Sequence, residues 1–311
     1  MRTTFIETVM ECARSDKRIW LLCGDLGYSV LERFSKEFPD RFINAGVSEQ
    51  NMASMAGGLA LTGRIVITYS IGNFGTLRCY EQIRNDICYH DANVKVIAVG
   101  GGLAYAGQGY THHAVEDLAA LRALPNMTVI APADPVETRL ATRWMLSHPH
   151  PCYLRLGKAG EPVLHQSPPI FEHGRMIPVQ PGEDVLLIST GGMLETTLSV
   201  AEQLRAKGFS AGVASCPFVK PFDAKWLQAQ AVRVPLIATL EEHAPYGGLS
   251  DAVAAALAVM TGVRARLLPF NVPEGILKGI AGEHAELRAR AGLSADAITP
   301  RIVDNLKKER S

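Results

Sequence analysis

A lone acid, a pair of histidines and an aromatic ring between glycines are the residues of this chain best suited to chemistry. Glu49 stands in the run RFINAGVSEQNMASMAGGLAL (41–61), after a short apolar strand, Phe42 to Ala45, and a turn at Gly46. Ser48 is placed to cap the helix that follows, its hydroxyl accepting from an amide of the first turn. Glu49 has two readings. It is a first-turn acid favoured by the helix dipole, or a functional acid at the carboxyl end of a strand, where open α/β sheets hold their ligands. Asp25 and Ser29, in Gly24-Asp25-Leu26-Gly27-Tyr28-Ser29, serve either turn amides or a ligand. Phe74 lies in the loop Tyr69 to Gly75, where an aromatic is odd as core and suits a stacking platform for a flat ring. His112 and His113 are adjacent, so on a helix they point apart and rarely share one metal ion. One of them reads as a polar group in a cleft. Gly100, Gly101 and Gly102 read either as a flexible active-site turn or as a plain tight turn.

The elements that must hold these groups alternate along the chain. Apolar runs predict strands over 18–24, 42–45, 64–69, 94–99, 128–131 and 152–156. Helical patterns fill the gaps at 4–15, 49–61, 77–89, 114–123 and 135–147. Continuous Val/Ile/Leu strands separated by helices predict a parallel sheet covered on both faces. The stretch 166–183, rich in proline, reads as a linker. A second α/β pattern follows, with strands over 184–189, 211–214, 236–240 and 266–270. Its helices are expected over 194–207, 224–231, 249–261, 286–291 and 296–307. The expected organisation is thus two doubly wound α/β domains, 1–165 and 184–311. Small residues Ala53, Ser54, Ala56, Gly57, Gly58 and Ala60 crowd the helix after Glu49, so something packs close to its backbone, within the chain or across an interface.

Bulk properties narrow the classes. The 311 residues carry equal numbers of acidic and basic groups, 31 of each, which gives no electrostatic reason to bind nucleic acid or an anionic membrane. No apolar run approaches the roughly 20 residues of a membrane span, and the N-terminal stretch reads as an amphipathic helix rather than a signal peptide. Six cysteines are scattered without CxxC spacing, which predicts reduced thiols in a cytoplasm and neither a zinc site nor a disulfide frame. Neither a Gly-x-x-x-x-Gly-Lys-[Ser/Thr] loop nor a Gly-x-Gly-x-x-Gly strand-to-helix turn is present.

Taken in order, GDLGYSVL (24–31), the 41–61 run, the loop through Phe74, RCYEQIRND (78–86) and GYTHHAVEDLAALRALPNMTVIAPAD (109–134) resemble the C-terminal half of transketolases. EEHAPYGGLSDAV (241–253) agrees with the C-terminal domain of that family. The resemblance implies a pyrimidine-binding domain followed by a transketolase C-terminal domain, and thiamine diphosphate chemistry. In that family the acid at the Glu49 position hydrogen-bonds a ring nitrogen of the aminopyrimidine. A shared proton there makes the neighbouring amino group basic enough to deprotonate the thiazolium, which then attacks a ketose carbonyl. Glu49 must hold a proton for this, which burial favours and the helix N-terminus opposes. The same likeness makes Phe74 the aromatic stacked on the pyrimidine, with Asp25 on the cofactor side, and His112 the histidine near the reacting carbons. It puts Arg2, Ser29 and Arg155 on the sugar phosphate, with Arg78 added to them or held in an ion pair. Two departures lie at the substrate end: Gln108 stands for a family aspartate that reads a donor hydroxyl, and Gly100 for a histidine that helps grip the phosphate. They point to a donor other than a standard pentose or hexose phosphate.

The family holds its diphosphate and magnesium on a Gly-Asp-Gly segment, and no Gly-Asp-Gly occurs in these residues. The resemblance therefore implies a heteromeric enzyme. A separate N-terminal subunit binds diphosphate and Mg2+, this chain supplies no metal ligand, two copies of each subunit assemble, and neither part is active alone. The competing readings are the β subunit of a 2-oxoacid dehydrogenase and a non-catalytic partner of a complete transketolase.

Overall fold

The computed structural model describes residues 1–276 and 278–310. The first half runs α1 (Arg2–Ser15), β1 (Ile19–Cys23), α2 (Glu32–Glu37), β2 (Phe42–Asn44), α3 (Glu49–Leu61), β3 (Ile65–Ile71), α4 (Tyr80–Gln82), β4 (Val94–Val99), α5 (Asp117–Ala123), β5 (Thr128–Ile130), α6 (Pro135–Ser147) and β6 (Cys152–Leu156). The second runs β7 (Ile177–Gln180), β8 (Val185–Ser189), α7 (Leu194–Ala206), β9 (Ala211–Ser215), β10 (Phe218–Lys220), α8 (Ala224–Ala231), β11 (Leu236–Leu240), α9 (Leu249–Ala258), β12 (Arg266–Phe270), α10 (His284–Arg290) and α11 (Ala295–Arg310).

Two sheets result, in the orders β10-β5-β6-β4-β3-β1-β2 and β12-β11-β8-β9-β7. Within each, neighbours are parallel except at one edge, where β10 and β7 run antiparallel. Parallel strands flanked by helices are buried on both faces, and β4, β6, β8 and β11 are buried along their whole length. Apolar clusters on the two faces of each sheet form the cores. The one charge inside β4, Lys95, is satisfied by the carbonyls of His148 and His150 at 2.6 Å each. Helix α6 starts as its sequence dictates, with Asp134 accepting from the Glu137 amide at 2.8 Å and Pro135 in the first turn. The strands and most helices stand where the apolar pattern puts them.

Four differences have physical reasons. The helix predicted over 77–89 is a succession of a 3-10 turn (Leu77–Cys79), α4 and a π turn (Ile83–Cys88). Backbone meets backbone there: a Cβ on Gly57 of α3 would collide with the Asp86 carbonyl, while Ser54 donates to the Asp86 carboxylate at 2.5 Å. The small residues of α3 thus serve an intrachain contact at this point. The helix predicted from residue 114 begins at Asp117, because Ala114 instead pairs with Gly102 through two backbone hydrogen bonds. Part of the predicted linker is β7, an edge strand where Pro178 is tolerated. Finally, β10 comes from the second half yet joins the first sheet on β5. Its buried Phe218 packs edge-on against Trp144 of α6, ring centroids 5.0 Å apart.

Candidate active site

Strand β1 pairs with β2 on one side and β3 on the other, so the first sheet reverses direction of winding there. The crevice at the carboxyl ends of these strands is where such a sheet binds ligands. Every group singled out in the first domain except Arg2 and Arg155 lies in the segment that follows the carboxyl end of β1, β2, β3 or β4.

Glu49 is built in from below. After β2, Ala45 donates to the Cys23 carbonyl at 2.9 Å, and Gly46 adopts a left-handed φ of 71° that turns the chain into α3. Asn44 ties this turn to the loop after β1: its carbonyl oxygen accepts from the amides of Asp25 and Gly46, and its amide donates to the Asp25 carboxylate, all at 3.0 Å. Asp25 is exposed at the lip and held there. Ser48 does not cap α3 with its side chain. Its hydroxyl turns back to the Ala45 carbonyl at 3.2 Å, which leaves the first turn of the helix without a side-chain cap. Glu49 itself is only 2 % exposed, and a Cβ at Gly24 would come into van der Waals contact with its side chain.

Phe74 follows β3, and its loop is fastened to the histidine loop by Asn73, which donates to the Thr111 carbonyl at 2.9 Å. Phe74 lies 5.1 Å from His112, ring edge to ring face. Arg78 joins Phe74 to the buried acid: its guanidinium carbon sits 4.4 Å over the Phe74 ring, and Nη1 is 2.9 Å from a Glu49 oxygen. Arg78 therefore belongs to the Glu49 and Phe74 end of the crevice, not with the other arginines. His112 is half-buried with Nδ1 3.0 Å from the Thr111 hydroxyl. His113 is buried, neither ring nitrogen having a hydrogen-bond partner among the described residues, and burial keeps its pKa below the usual imidazole value. The two histidines divide, His112 meeting the rings of Phe74 and Tyr105 and His113 turned into the protein. Gln108 is exposed on the turn leading to them.

The substrate-end group separates. Arg2, in the first turn of α1, lies against Tyr105. Ser29 is exposed on the turn before α2, in a left-handed conformation, its amide donated to Glu32 at 2.7 Å. Arg155 departs from expectation. It is buried, and its Nε and Nη2 bond the Asp117 carboxylate at 2.8 and 3.2 Å, with Nη2 also reaching the carbonyls of Ala114 at 2.6 Å and Glu242 at 2.8 Å. Tyr153 donates to the same Asp117. Nε and Nη2 thus tie the first half of the chain to the second through Glu242, and a sugar phosphate would have to be met by Nη1.

Sequence reasoning missed the groups behind this arrangement: Asp117, Tyr105, and the cluster of Glu242 with His284 and Arg288. Burial alone would raise the Glu242 carboxyl, but Arg288 and His284 together hold it far below the usual carboxylate range. The available signal was the glycine triplet. A Cβ at Gly100, Gly101 or Gly102 would run into Tyr105, Arg155 or Glu242 respectively, so three large side chains converge where three glycines stand.

Fold and site define an open α/β protein with a buried acid, an aromatic ring lying under a guanidinium, and a histidine against that ring, on the segments after the strands of its first sheet. Residues 1–160 match the family described as "Transketolase, pyrimidine binding domain", and residues 174–298 match "Transketolase, C-terminal domain". The chain is 32% identical over 309 residues to an apulose-4-phosphate transketolase subunit of Phocaeicola vulgatus, covering 99% of this chain and 97% of that protein. It is 34% identical over 258 residues to the 6-deoxy-6-sulfo-D-fructose transketolase subunit of a Clostridium species, covering 83% and 80%. Among solved structures, one described as a split gene transketolase, inactive beta4 tetramer, superimposes with a TM-score of 0.87 at 33% identity, over 98% of this chain and 97% of that one. The chain belongs to the transketolase family, whose pyrimidine-binding and C-terminal domains it carries in that order.

Proposed function

We propose that this chain is the pyrimidine-side subunit of a heteromeric, thiamine diphosphate-dependent transketolase that moves a two-carbon ketol unit from an anionic ketose to an aldose. The observation that carries the reading is Glu49, a carboxyl group excluded from water and bridged by Arg78 to the face of Phe74, which in turn meets the His112 ring. These residues fit an aminopyrimidine: a buried carboxyl group and an aromatic face, the two bridged by one guanidinium. When bound, thiamine diphosphate supplies the electron sink for cleaving and rejoining the ketose carbon chain. Glu49 would hydrogen-bond the pyrimidine ring nitrogen, Phe74 on the loop after β3 would stack on the ring, and His112 would present a polar edge to the reacting carbons. Arg2 faces the anionic end of the sugar. Among the described residues no group of three or more His, Cys, Asp or Glu is placed to hold a metal. Diphosphate and Mg2+ fall, in this reading, to the partner subunit, with two copies of each chain in the assembly. Among the described residues no helix is long and apolar enough to cross a membrane, and all six cysteines are unpaired; we place the assembly in the cytoplasm.

The test is reconstitution. With a diphosphate-binding partner, thiamine diphosphate and Mg2+, the pair is expected to transfer ketol units to an aldose, and this chain alone to give no turnover above background. Full activity from the isolated chain would overturn the two-subunit reading. Decarboxylation of a 2-oxoacid in place of ketol transfer would favour the dehydrogenase β subunit.

Arg78 now makes the two contacts that the aminopyrimidine must make, one to Phe74 and one to Glu49. Its guanidinium has to give way when the cofactor enters. Arg78→Ala is accordingly expected to tighten thiamine diphosphate binding by the assembled pair severalfold, read by calorimetry. Weaker binding would mean that the arginine stays on the acid in the loaded site.

A further inference from the structure

Gly100 closes β4 with a left-handed φ of 80°, and the space a side chain would fill there is occupied by the ring of Tyr105. That ring is half-buried and lies 6.4 Å from the His112 ring, edge to face. The ammonium of Lys158, from the loop after β6, stands 5.4 Å over it. Arg2 approaches from α1, and its Nε is buried without a hydrogen-bond partner among the described residues. The rings of Phe74, His112 and Tyr105 are therefore successive neighbours, and two cations flank the last of them.

Resting on the transketolase reading, we propose that Tyr105 is a specificity-determining residue, its hydroxyl together with Arg2 and Lys158 receiving the oxyanion group at the far end of the ketose. The order of the groups sets the direction. A sugar whose carbonyl carbon lies by His112 extends past Tyr105, where its terminal phosphate or sulfonate meets two positive charges and one neutral donor. Burial raises the Tyr105 phenol above its ordinary value, while Arg2 pulls the other way, so the hydroxyl stays protonated at neutral pH and donates. Hydrogen bonds to a charged acceptor are the strong ones, and a group lacking the anion leaves these donors to water. A glycine at 100 is what admits the ring; a larger residue there would expel it.

The experiment compares Tyr105→Phe and Lys158→Ala with the unaltered chain in the reconstituted pair. Three donors are used: a phosphorylated ketose, its sulfonated analogue and a short uncharged ketose. Tyr105→Phe keeps the ring that fills the space over Gly100 and removes only the hydroxyl. We expect its preference for either anionic donor over the uncharged one, as a ratio of kcat/KM, to fall about tenfold. The loss is expected in KM, with kcat for the anionic donors changing far less. Lys158→Ala should show a smaller loss that shrinks further as salt screens the charge. An equal loss on all three donors, or none on the anionic ones, would overturn the assignment. Loss with only one anion would tell which oxyanion the site is built for. If the unaltered pair transfers ketol units from no donor, the functional reading fails separately. Calorimetric titration with inorganic phosphate still decides the inference in that case, since weaker binding by Tyr105→Phe supports it and equal binding refutes it.

Discussion

Glu49→Gln is expected to cut ketol transfer by the reconstituted pair by about two to four orders of magnitude, the usual contribution of a positioned acid or base. The amide has the size of the acid and still offers an oxygen, so α3 and the turn at Gly46 are unchanged. Its N–H groups can hydrogen-bond a ring nitrogen but cannot give up a proton to it. Stability should hardly move: the carboxylate's ionic partner, Arg78, is 45% exposed and finds water when the charge is removed. The measurements are turnover at saturating substrate, cofactor affinity by calorimetry and the melting temperature. Turnover within a few-fold of the unaltered pair, with an intact fold, would return Glu49 to the bland reading of a first-turn acid and support a non-catalytic role for the chain.

The second large effect concerns the fold. Glu242 is buried at the domain boundary, 2.7 Å from His284, ion-paired to Arg288 and packed on the backbone of Gly102. Glu242→Gln leaves Arg288, itself largely buried, without its carboxylate, and removing one member of a buried pair costs about 3–5 kcal/mol. For a domain pair of this size the midpoint of thermal unfolding should drop by about 10 °C. The pH dependence has a definite sign. In the folded chain the Glu242 carboxyl lies far below its unfolded value, so the unfolded state takes up the proton first. Its stabilisation is complete above the ordinary carboxylate range, about pH 5, and is lost progressively as pH falls below about 4. Melting curves between pH 3 and 7 should show the unaltered chain losing stability toward acid more steeply than Glu242→Gln. Parallel acid limbs for the two would mean that the pair contributes nothing at this boundary.

How far the sequence carried depended on whether a feature is local. The period of the apolar residues is a property of each segment, and α3, α6, β4, β6, β11 and β12 fall on the residues it predicts. Glu49 was legible because a strand, a glycine turn and a helix start in succession are enough to put it at a strand end. Ser48 was misread because its hydroxyl had two acceptable partners, and the choice between an amide ahead and the Ala45 carbonyl behind is made by the turn's geometry. The helix expected over 77–89 failed for a reason outside its own residues, the approach of Asp86 to Gly57. In the same way β7 and β10 are too short and too mixed to declare themselves, and exist because a sheet edge is there to pair with.

The order of residues alone determined two parallel α/β halves, the loops that carry the candidate chemistry and the likeness to transketolases, since each of these depends on pattern within a few dozen residues. The folded molecule decided what each charged group does. It turned Arg155 inward onto Asp117, set Arg78 on Glu49, and gave the space above Gly100 to Tyr105. Long side chains select partners by distance and desolvation in three dimensions, and those partners come from strands and loops far apart along the chain.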